Sequence, residues 1–193
     1  MKKIILGSGS PRRRELLGGL DLPFTVDTGN TFEESPEPGV EAHLVPVHMS
    51  VGKSRGFHRG LSPDEVLITA DTVVICTGPD GSQAVLGKPH SREEAVAMLE
   101  RLSGCTHEVV TAVTIRDCLH EETFTDSTLV SFDVLSESDI NYYIDRYKPF
   151  DKAGAYGIQE WIGYAAISGI DGSFYNVMGF PVHKVYRELK KFI

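Results

Sequence analysis

Apolar and polar residues follow one another along the chain in blocks that predict strands and helices in mixed order. The apolar run Lys3–Leu6 is typical of a short buried strand. Behind it, Ser10 as N-cap and Pro11 in the first turn mark the start of a helix that ends near Leu20. A Pro-rich segment, SPEPG, then leads into a second predicted helix that runs through Lys53.

The rest of the chain continues this mixture. Residues from Val66 to about Cys76 are mostly β-branched or apolar and predict a strand, which ends at the turn sequence GPDGSQ. A helix with a Ser91–Glu94 capping box is predicted to end at Leu102 and Gly104. Two strands are predicted over HEVVTAVTI and TFTDSTLVSFDVL. Ser136 with Asp139 starts a helix that runs through Tyr147, and Pro181 opens a last helix. Because these elements do not alternate regularly, the pattern predicts a single α/β domain over residues 1–193 with a mixed sheet.

Composition and charge narrow the possible partners. The 193 residues carry a formal net charge of −8, which disfavours broad nucleic-acid binding because such binding needs a basic face. No charged leader and no long apolar run is visible, so we expect a cytoplasmic protein without a membrane span. Cys76, Cys105 and Cys118 lack C-x-x-C spacing, which argues against a disulfide framework and a zinc site.

The segment LGSGSPRRRELL, residues 6–17, has the features of an anion site. Backbone N–H groups and the positive end of the helix dipole favour a negative ligand, and glycines allow its close approach. The arginines can each donate two hydrogen bonds to a phosphate. In an acidic protein this local basic cluster indicates a small anionic partner, while a solvated helix start is the alternative interpretation.

The common phosphate-loop signatures do not fit this chain. A Walker A loop needs a lysine after its second glycine, and Gly9 is not followed by one. A G-x-G-x-x-G loop would need glycine where Arg12 stands. The tripeptide Gly52–Ser54 resembles the end of a P-loop, but the required upstream glycine is replaced by Val47. A P-loop kinase or GTPase is therefore disfavoured, and Lys53 is left as an isolated cation.

Polar residues interrupt the apolar strand ITADTVVIC at Asp71 and Thr72. A carboxylate in such surroundings is costly unless it is paired, hydrogen-bonded or bound to a metal. Asp71 is therefore a metal ligand or general base, or else an edge-strand residue that faces water. Lys88, in the turn LGKPH, binds a ligand or is simply solvated.

A Gly-rich segment at residues 148–182 places polar side chains among apolar ones that seek burial. This composition is typical of a wall that faces a ligand and is poorly suited to a linker. The polar side chains concerned are Asp151, Lys152, Gln159 and Asn176.

Five segments resemble, in order and spacing, the Maf family of nucleoside triphosphate pyrophosphatases. They are SGSPRRRELL, ADTVV, GKP, EEAVAMLERLSGCTHEVVTAV, and KAGAYGIQ with ISGIDGSFYNVMGFPV. The resemblance covers nearly the whole chain. It implies an elongated, bent mixed β-sheet flanked by helices, with two lobes and a central cleft. It also implies hydrolysis of nucleoside triphosphates to the monophosphate and pyrophosphate with a divalent metal cation, Mg²⁺ or Mn²⁺, and a homodimer.

The resemblance further implies roles for individual residues. Asp71 would be the catalytic base or a metal ligand, with Glu34 as the second acidic residue and Glu33 as the alternative to it. The triphosphate would be bound by Ser8, Arg13, Lys53 and Lys88. Substrate choice would depend on Arg12, Thr72 and Gln159, which look like the branch of the family that acts on dTTP and UTP. Gln159 offers both a donor and an acceptor, as the imide edge of a pyrimidine requires.

A second class of function is compatible with the same residues. A non-catalytic nucleotide-binding regulator of cell division would keep the phosphate loop without needing Asp71. Release of pyrophosphate from dTTP in the presence of Mg²⁺ or Mn²⁺ distinguishes the enzyme from such a regulator.

Overall fold

The computed structural model describes residues 2–34 and 39–193, which form a mixed α/β structure. The strands within these ranges are β1 (Lys3–Leu6), β2 (Phe24–Val26), β3 (Glu65–Thr77), β4 (Gln83–Leu86), β5 (Thr106–Arg116), β6 (Glu121–Phe132) and β7 (Ile167–Asp171). The α-helices are α1 (Pro11–Gly18), α2 (Val45–Arg55), α3 (Arg92–Leu102), α4 (Glu137–Tyr147), α5 (Trp161–Ala165), α6 (Phe174–Val177) and α7 (Val182–Leu189). None of the helices described in these ranges has the length and apolar character needed to cross a membrane.

The strands form one sheet of mixed direction. Its order is β2-β1-β3-β5-β6-β7, and β4 pairs with β3. β1 runs parallel to β2 and β3, whereas β4 pairs antiparallel with β3 and β7 pairs antiparallel with β6. The mixed α/β sheet predicted from the sequence is therefore confirmed.

Most predicted elements are present with shifted ends. α1 begins at Pro11 behind the N-cap Ser10, as predicted, but ends at Gly18. α2 begins only at Val45, after a 3-10 turn, and the Pro-rich residues 35–38 lie outside the described residues. The strands β2, β4 and β7 are not apparent from the sequence pattern, because three to five residues carry too little periodicity to distinguish a strand from a loop.

The predicted cap of α4 and the predicted capping box of α3 have different outcomes. At α4 the box is complete, because the Ser136 hydroxyl accepts from the N–H of Asp139 and the Asp139 carboxylate accepts from the N–H of Ser136. At α3 the Ser91 hydroxyl accepts from the N–H of Glu94 at 3.1 Å. The Glu94 carboxylate, however, accepts from the N–H of His90 at 2.7 Å. Ser91 therefore caps α3, but the predicted return bond of its box is wrong.

The chain divides into two compact units. Unit 1 comprises residues up to 71, 111–126 and 179–193, and unit 2 comprises residues 72–110 and 127–178. The apolar core of unit 1 takes residues from its strands and from helices α1 and α7, including Leu6, Leu17, Ile68, Ile115 and Leu189. We propose that residues 1–193 form a single domain, because the strands β3, β5 and β6 each contribute residues to both units.

Unit 2 has buried residues of its own, and some of them are polar. The His107 ring Nε2 lies 2.7 Å from the Tyr156 hydroxyl, and both rings contact Phe132 edge-on. Burial lowers the pKa of His107 to about 4, because it disfavours the charged imidazolium. His107 is therefore a neutral packing residue near pH 7.

Candidate active site

The loop between β1 and α1 packs closely against β3. The N–H of Gly7 donates to the carbonyl of Ile68 at 2.8 Å. A Cβ atom at Gly7 would lie only 2.9 Å from the Thr69 methyl group, so this close approach requires glycine. The Ser8 hydroxyl accepts a hydrogen bond from the N–H of Ser10 at 3.3 Å. The loop is thus held in a fixed turn at the N-terminus of α1, where an anion is favoured.

Arg13, in the first turn of α1, joins three segments of unit 1. Its Nε–H donates to the carbonyl of Gly179 at 2.9 Å, and its Nη1–H donates to the carbonyl of Ala70 at 2.7 Å. Nη1 also donates to the Ser8 hydroxyl at 3.4 Å. Burial lowers the pKa of the Arg13 guanidinium, and the negative charge of Asp71 acts in the opposite direction. The guanidinium is therefore fixed beside the segment of β3 that carries Asp71.

Two carboxylates of unit 1 meet the ammonium of Lys53, which lies in the last turn of α2. The Lys53 Nζ donates to Asp71 Oδ1 at 2.7 Å and lies 3.0 Å from Glu34 Oε2. The Lys53 and Asp71 side chains are only 13% and 16% exposed, so their pairing offsets the cost of burying each charge. The predicted pair of acidic residues, Glu34 and Asp71, is thereby brought to one cation.

The Asp71 side chain is paired with a cation and does not face open water. β3 lies between β1 and β5 in the sheet, but among the described residues β1 pairs with it only through Ile68 and β4 only from Val74. The interpretation of Asp71 as a residue that simply faces water is nevertheless wrong, because its side chain is only 16% exposed and bonded to Lys53. The structure instead provides a carboxylate that is paired with a cation on an otherwise apolar strand, as expected of a base or a ligand.

The acidic pair fits a metal ion that arrives with phosphate. Within residues 2–34 and 39–193 no group of three or more His, Cys, Asp or Glu side chains is arranged to hold a metal. Glu34 and Asp71 nevertheless converge on one cation, the Lys53 ammonium. Mg²⁺ is usually bound by one or two carboxylates and takes its remaining ligands from substrate phosphates and water. Two carboxylates are therefore enough for such a site.

The remaining site residues predicted from the sequence, apart from Arg12 on α1, lie in unit 2. Thr72 is half-buried on β3, and Lys88 is exposed in the turn after β4. Gln159 lies in the turn before α5, and its Oε1 is buried without a hydrogen-bond partner among the described residues. Since a buried acceptor without a donor costs free energy, this atom requires a donor from outside the described residues, such as a water or a ligand.

Gln159 also lines a pocket of about 410 Å³ within unit 2. The side chains around it are mostly aliphatic and aromatic, and they include Ile158, Tyr164, Ile167, Ile170 and Phe174. A pocket of this size with apolar walls and few polar groups is typical of a small-molecule site. The interpretation of the Gly-rich segment as a ligand-facing wall is thus supported at Gln159.

Other contacts of the site were not accessible from the sequence. The Arg13 acceptors at Ala70 and Gly179 are backbone carbonyls, so no residue type in the sequence marks them. Asn176, a candidate from the Gly-rich segment, is buried, and its Nδ2 donates to the carbonyl of Val109 at 3.0 Å. Asn176 therefore supports the fold of unit 2.

A sequence model of Maf-like proteins matches residues 3–192. The chain belongs to this family. A relative in Porphyromonas gingivalis, named dTTP/UTP pyrophosphatase, is 51% identical over 192 residues, which are 98% of this chain and 94% of the relative. Proteins with the same name in Bacteroides thetaiotaomicron and Cytophaga hutchinsonii are 48% and 47% identical, over 98% and 97% of this chain and 95% and 83% of the relatives. This Maf-like chain is thus similar to those proteins over nearly its whole length.

Proposed function

We propose that this Maf-like chain hydrolyses dTTP and UTP to the nucleoside monophosphate and pyrophosphate. The observation that carries the proposal is the group formed by Lys53, Asp71 and Glu34, with Arg13 fixed beside the same segment of β3. It combines a carboxylate that can take a proton with cations that can neutralise a triphosphate. The names of the similar proteins support the choice of substrate.

The proposed reaction is the attack of water on the α-phosphorus. Asp71 accepts a proton from the attacking water, and the bond between the α-phosphorus and the oxygen that bridges to the β-phosphate breaks. Pyrophosphate leaves with the electron pair of that bond, and Arg13 and Lys53 stabilise its negative charge. Lys88 and Ser8 are assigned to the triphosphate from the family resemblance, and their roles stay predictions.

The cofactor we propose is a divalent cation, Mg²⁺ or Mn²⁺, held by Glu34 and Asp71. When bound, such an ion neutralises phosphate charge and lowers the pKa of coordinated water. Lys53 is paired with both carboxylates in the structure, so an incoming cation competes with its ammonium. The triphosphate offers Lys53 a new anionic partner, which favours the exchange when nucleotide and metal bind together.

Selection of the base is assigned to Gln159, together with Arg12 and Thr72. Thymine and uracil present an N3–H donor between two carbonyl oxygens, and the buried Gln159 Oε1 has no donor among the described residues. The two bases differ only by a methyl group, which is worth about 1–3 kcal/mol in a pocket. We therefore expect both dTTP and UTP to be substrates.

A panel of dTTP, UTP, dCTP and dGTP with Mg²⁺ or Mn²⁺ tests this function. Phosphate is measured with and without added inorganic pyrophosphatase, so that released pyrophosphate is told apart from orthophosphate. We expect pyrophosphate and monophosphate from dTTP and UTP, with lower kcat/KM for dCTP and dGTP. Orthophosphate as the direct product, or nucleotide binding without hydrolysis, would contradict the proposal.

Replacement of Arg13 by Ala is expected to lower kcat/KM for dTTP by about ten- to a hundredfold. The reason is the loss of one charge-assisted hydrogen bond to the leaving pyrophosphate, worth about 1.5–3 kcal/mol, from a guanidinium that Ser8 and Ala70 hold in place. Arg14→Ala, at the exposed next position, is the matched control and should change kcat/KM by less than about twofold. Equal losses in the two variants would show that the arginine cluster acts only through its total charge.

Compartment and assembly are proposed from the sequence and the resemblance. We infer a cytoplasmic homodimer with no nucleic-acid partner, because the net charge of −8 disfavours binding to a polyanion. Size-exclusion chromatography with light scattering measures the oligomeric state directly, and a monomeric mass at micromolar concentration would contradict the dimer.

A further inference from the structure

A buried tyrosine of unit 2 links α4 to the turn that carries Gln159. Tyr143, on α4, is fully buried. Its hydroxyl donates a hydrogen bond to the Glu160 carboxylate and accepts one from the N–H of Gly157 at 3.0 Å. Burial and the neighbouring Glu160 raise the pKa of Tyr143, so the hydroxyl stays protonated and remains a donor. One side chain thus holds both ends of the turn from Gly157 to Glu160.

A buried lysine holds the same turn from its other side. The Lys152 Nζ lies 3.0 Å from Glu160 Oε1 and donates to Asp151 Oδ1 at 2.8 Å. The Lys152 side chain is only 8% exposed, and the two carboxylates offset the cost of burying its charge. Both oxygens of Glu160 are therefore engaged, one by Lys152 and one by Tyr143.

The turn itself is closed and tightly packed. The N–H of Glu160 donates to the carbonyl of Gly157 at 3.0 Å. A Cβ atom at Gly157 would lie 2.9 Å from Lys152 Cε and 3.1 Å from Gln159 Nε2. The Lys152 stem, Gly157 and the Gln159 amide therefore pack against one another without space for a further carbon.

We infer that Tyr143, Glu160 and Lys152 are positioning residues that fix the amide of Gln159 and thereby set the discrimination between pyrimidine bases. The inference rests on the proposed function, in which Gln159 reads the base. An amide carries a donor and an acceptor, and a rotating amide can pair with either kind of base edge. Thymine and uracil present a donor at N3, whereas cytosine presents an acceptor there. A fixed amide is therefore required to tell these bases apart.

The test is Tyr143→Phe, which removes only the hydroxyl that joins Glu160 to Gly157. We expect the ratio of kcat/KM for dTTP to that for dCTP to fall by about tenfold, because the Gln159 amide is no longer held. The inhibition constant of inorganic pyrophosphate, which reports on the phosphate-binding residues, should change by less than about twofold. A merely structural role would lower kcat/KM for both nucleotides equally and leave their ratio unchanged.

Tyr142→Phe is the matched control. Tyr142 is the preceding residue on α4, is half exposed and contacts the Trp161 ring edge-on, and a phenylalanine keeps that contact. Its dTTP to dCTP ratio should equal that of the wild type. Glu160→Gln provides a second variant if Tyr143→Phe does not fold, because it removes the charge facing Lys152 and keeps the length of the side chain.

The outcomes separate this inference from the function on which it rests. If the wild type showed no preference for dTTP over dCTP, both the base-reading role of Gln159 and the positioning role of Tyr143, Glu160 and Lys152 would be overturned. A wild-type preference that Gln159→Glu abolishes, and that the folded Tyr143→Phe or Glu160→Gln variant retains, would overturn the positioning alone. A preference lost in both the Gln159 and the positioning variants, with pyrophosphate inhibition unchanged, would support it.

Discussion

Asp71→Asn is expected to lower kcat for dTTP by at least about a hundredfold while the chain remains folded. The substitution keeps the size of the side chain but removes the carboxylate that takes the proton in the proposed reaction and supports the metal. Glu34 still pairs with the Lys53 ammonium in this variant, so the buried cation keeps one partner. The measurement is kcat at saturating dTTP and Mg²⁺, with thermal unfolding followed in parallel.

Asp64→Asn is the control for the change of charge. Asp64 is exposed and pairs with Lys3 at the surface, so its replacement should leave kcat within about twofold of the wild type. An Asp71→Asn variant that turns over dTTP at a near-normal rate would contradict the role of Asp71 as base or ligand.

Gln159→Glu is expected to lower kcat/KM for dTTP and UTP by about ten- to a thousandfold. The new carboxylate only accepts hydrogen bonds, so it repels the carbonyl oxygens of the base instead of donating to one of them. Hydrolysis of dGTP should fall less, because guanine presents donors at N1 and N2. The measurement is kcat/KM for dTTP, UTP, dCTP and dGTP with wild type and variant at one metal concentration.

Gln83→Glu makes the same chemical change at an exposed position on β4 and should leave all four values unchanged within about twofold. If Gln159→Glu lowered kcat/KM equally for all four nucleotides, Gln159 would have a structural role or a role at the phosphates. The proposed preference for dTTP and UTP would then lose its main support.

Local signals in the sequence were sufficient for much of the fold. Ser10 and Pro11 place the start of α1, and the box of Ser136 and Asp139 places the start of α4, because caps act within a few residues of the chain. The interruption of an apolar strand at Asp71 also predicted that its charge would be compensated, and the structure pairs it with Lys53.

The family resemblance named these residues, but their contacts were not predictable from the local pattern, because the partners are distant along the chain. Arg13 reaches carbonyls 57 and 166 residues away, and Lys53 reaches Asp71 across 18 residues. The predicted hydrogen bond from the N–H of Ser91 to the Glu94 carboxylate was wrong for a different reason. The N–H of His90, one residue earlier, donates to that carboxylate. Such choices depend on three-dimensional packing and not on residue type.

The division of the chain between Asp71 and Thr72 has a consequence for how such an enzyme evolves. Most residues proposed to act on the phosphates belong to unit 1, with Lys88 in unit 2, whereas Gln159 and Thr72, proposed to select the base, belong to unit 2 and Arg12 to unit 1. Substitutions around Gln159 can therefore change the preferred base while the packing that holds Asp71 and Lys53 is untouched. We expect Maf-like chains that differ around Gln159 to differ in the preferred base and to keep the group formed by Lys53, Asp71 and Glu34.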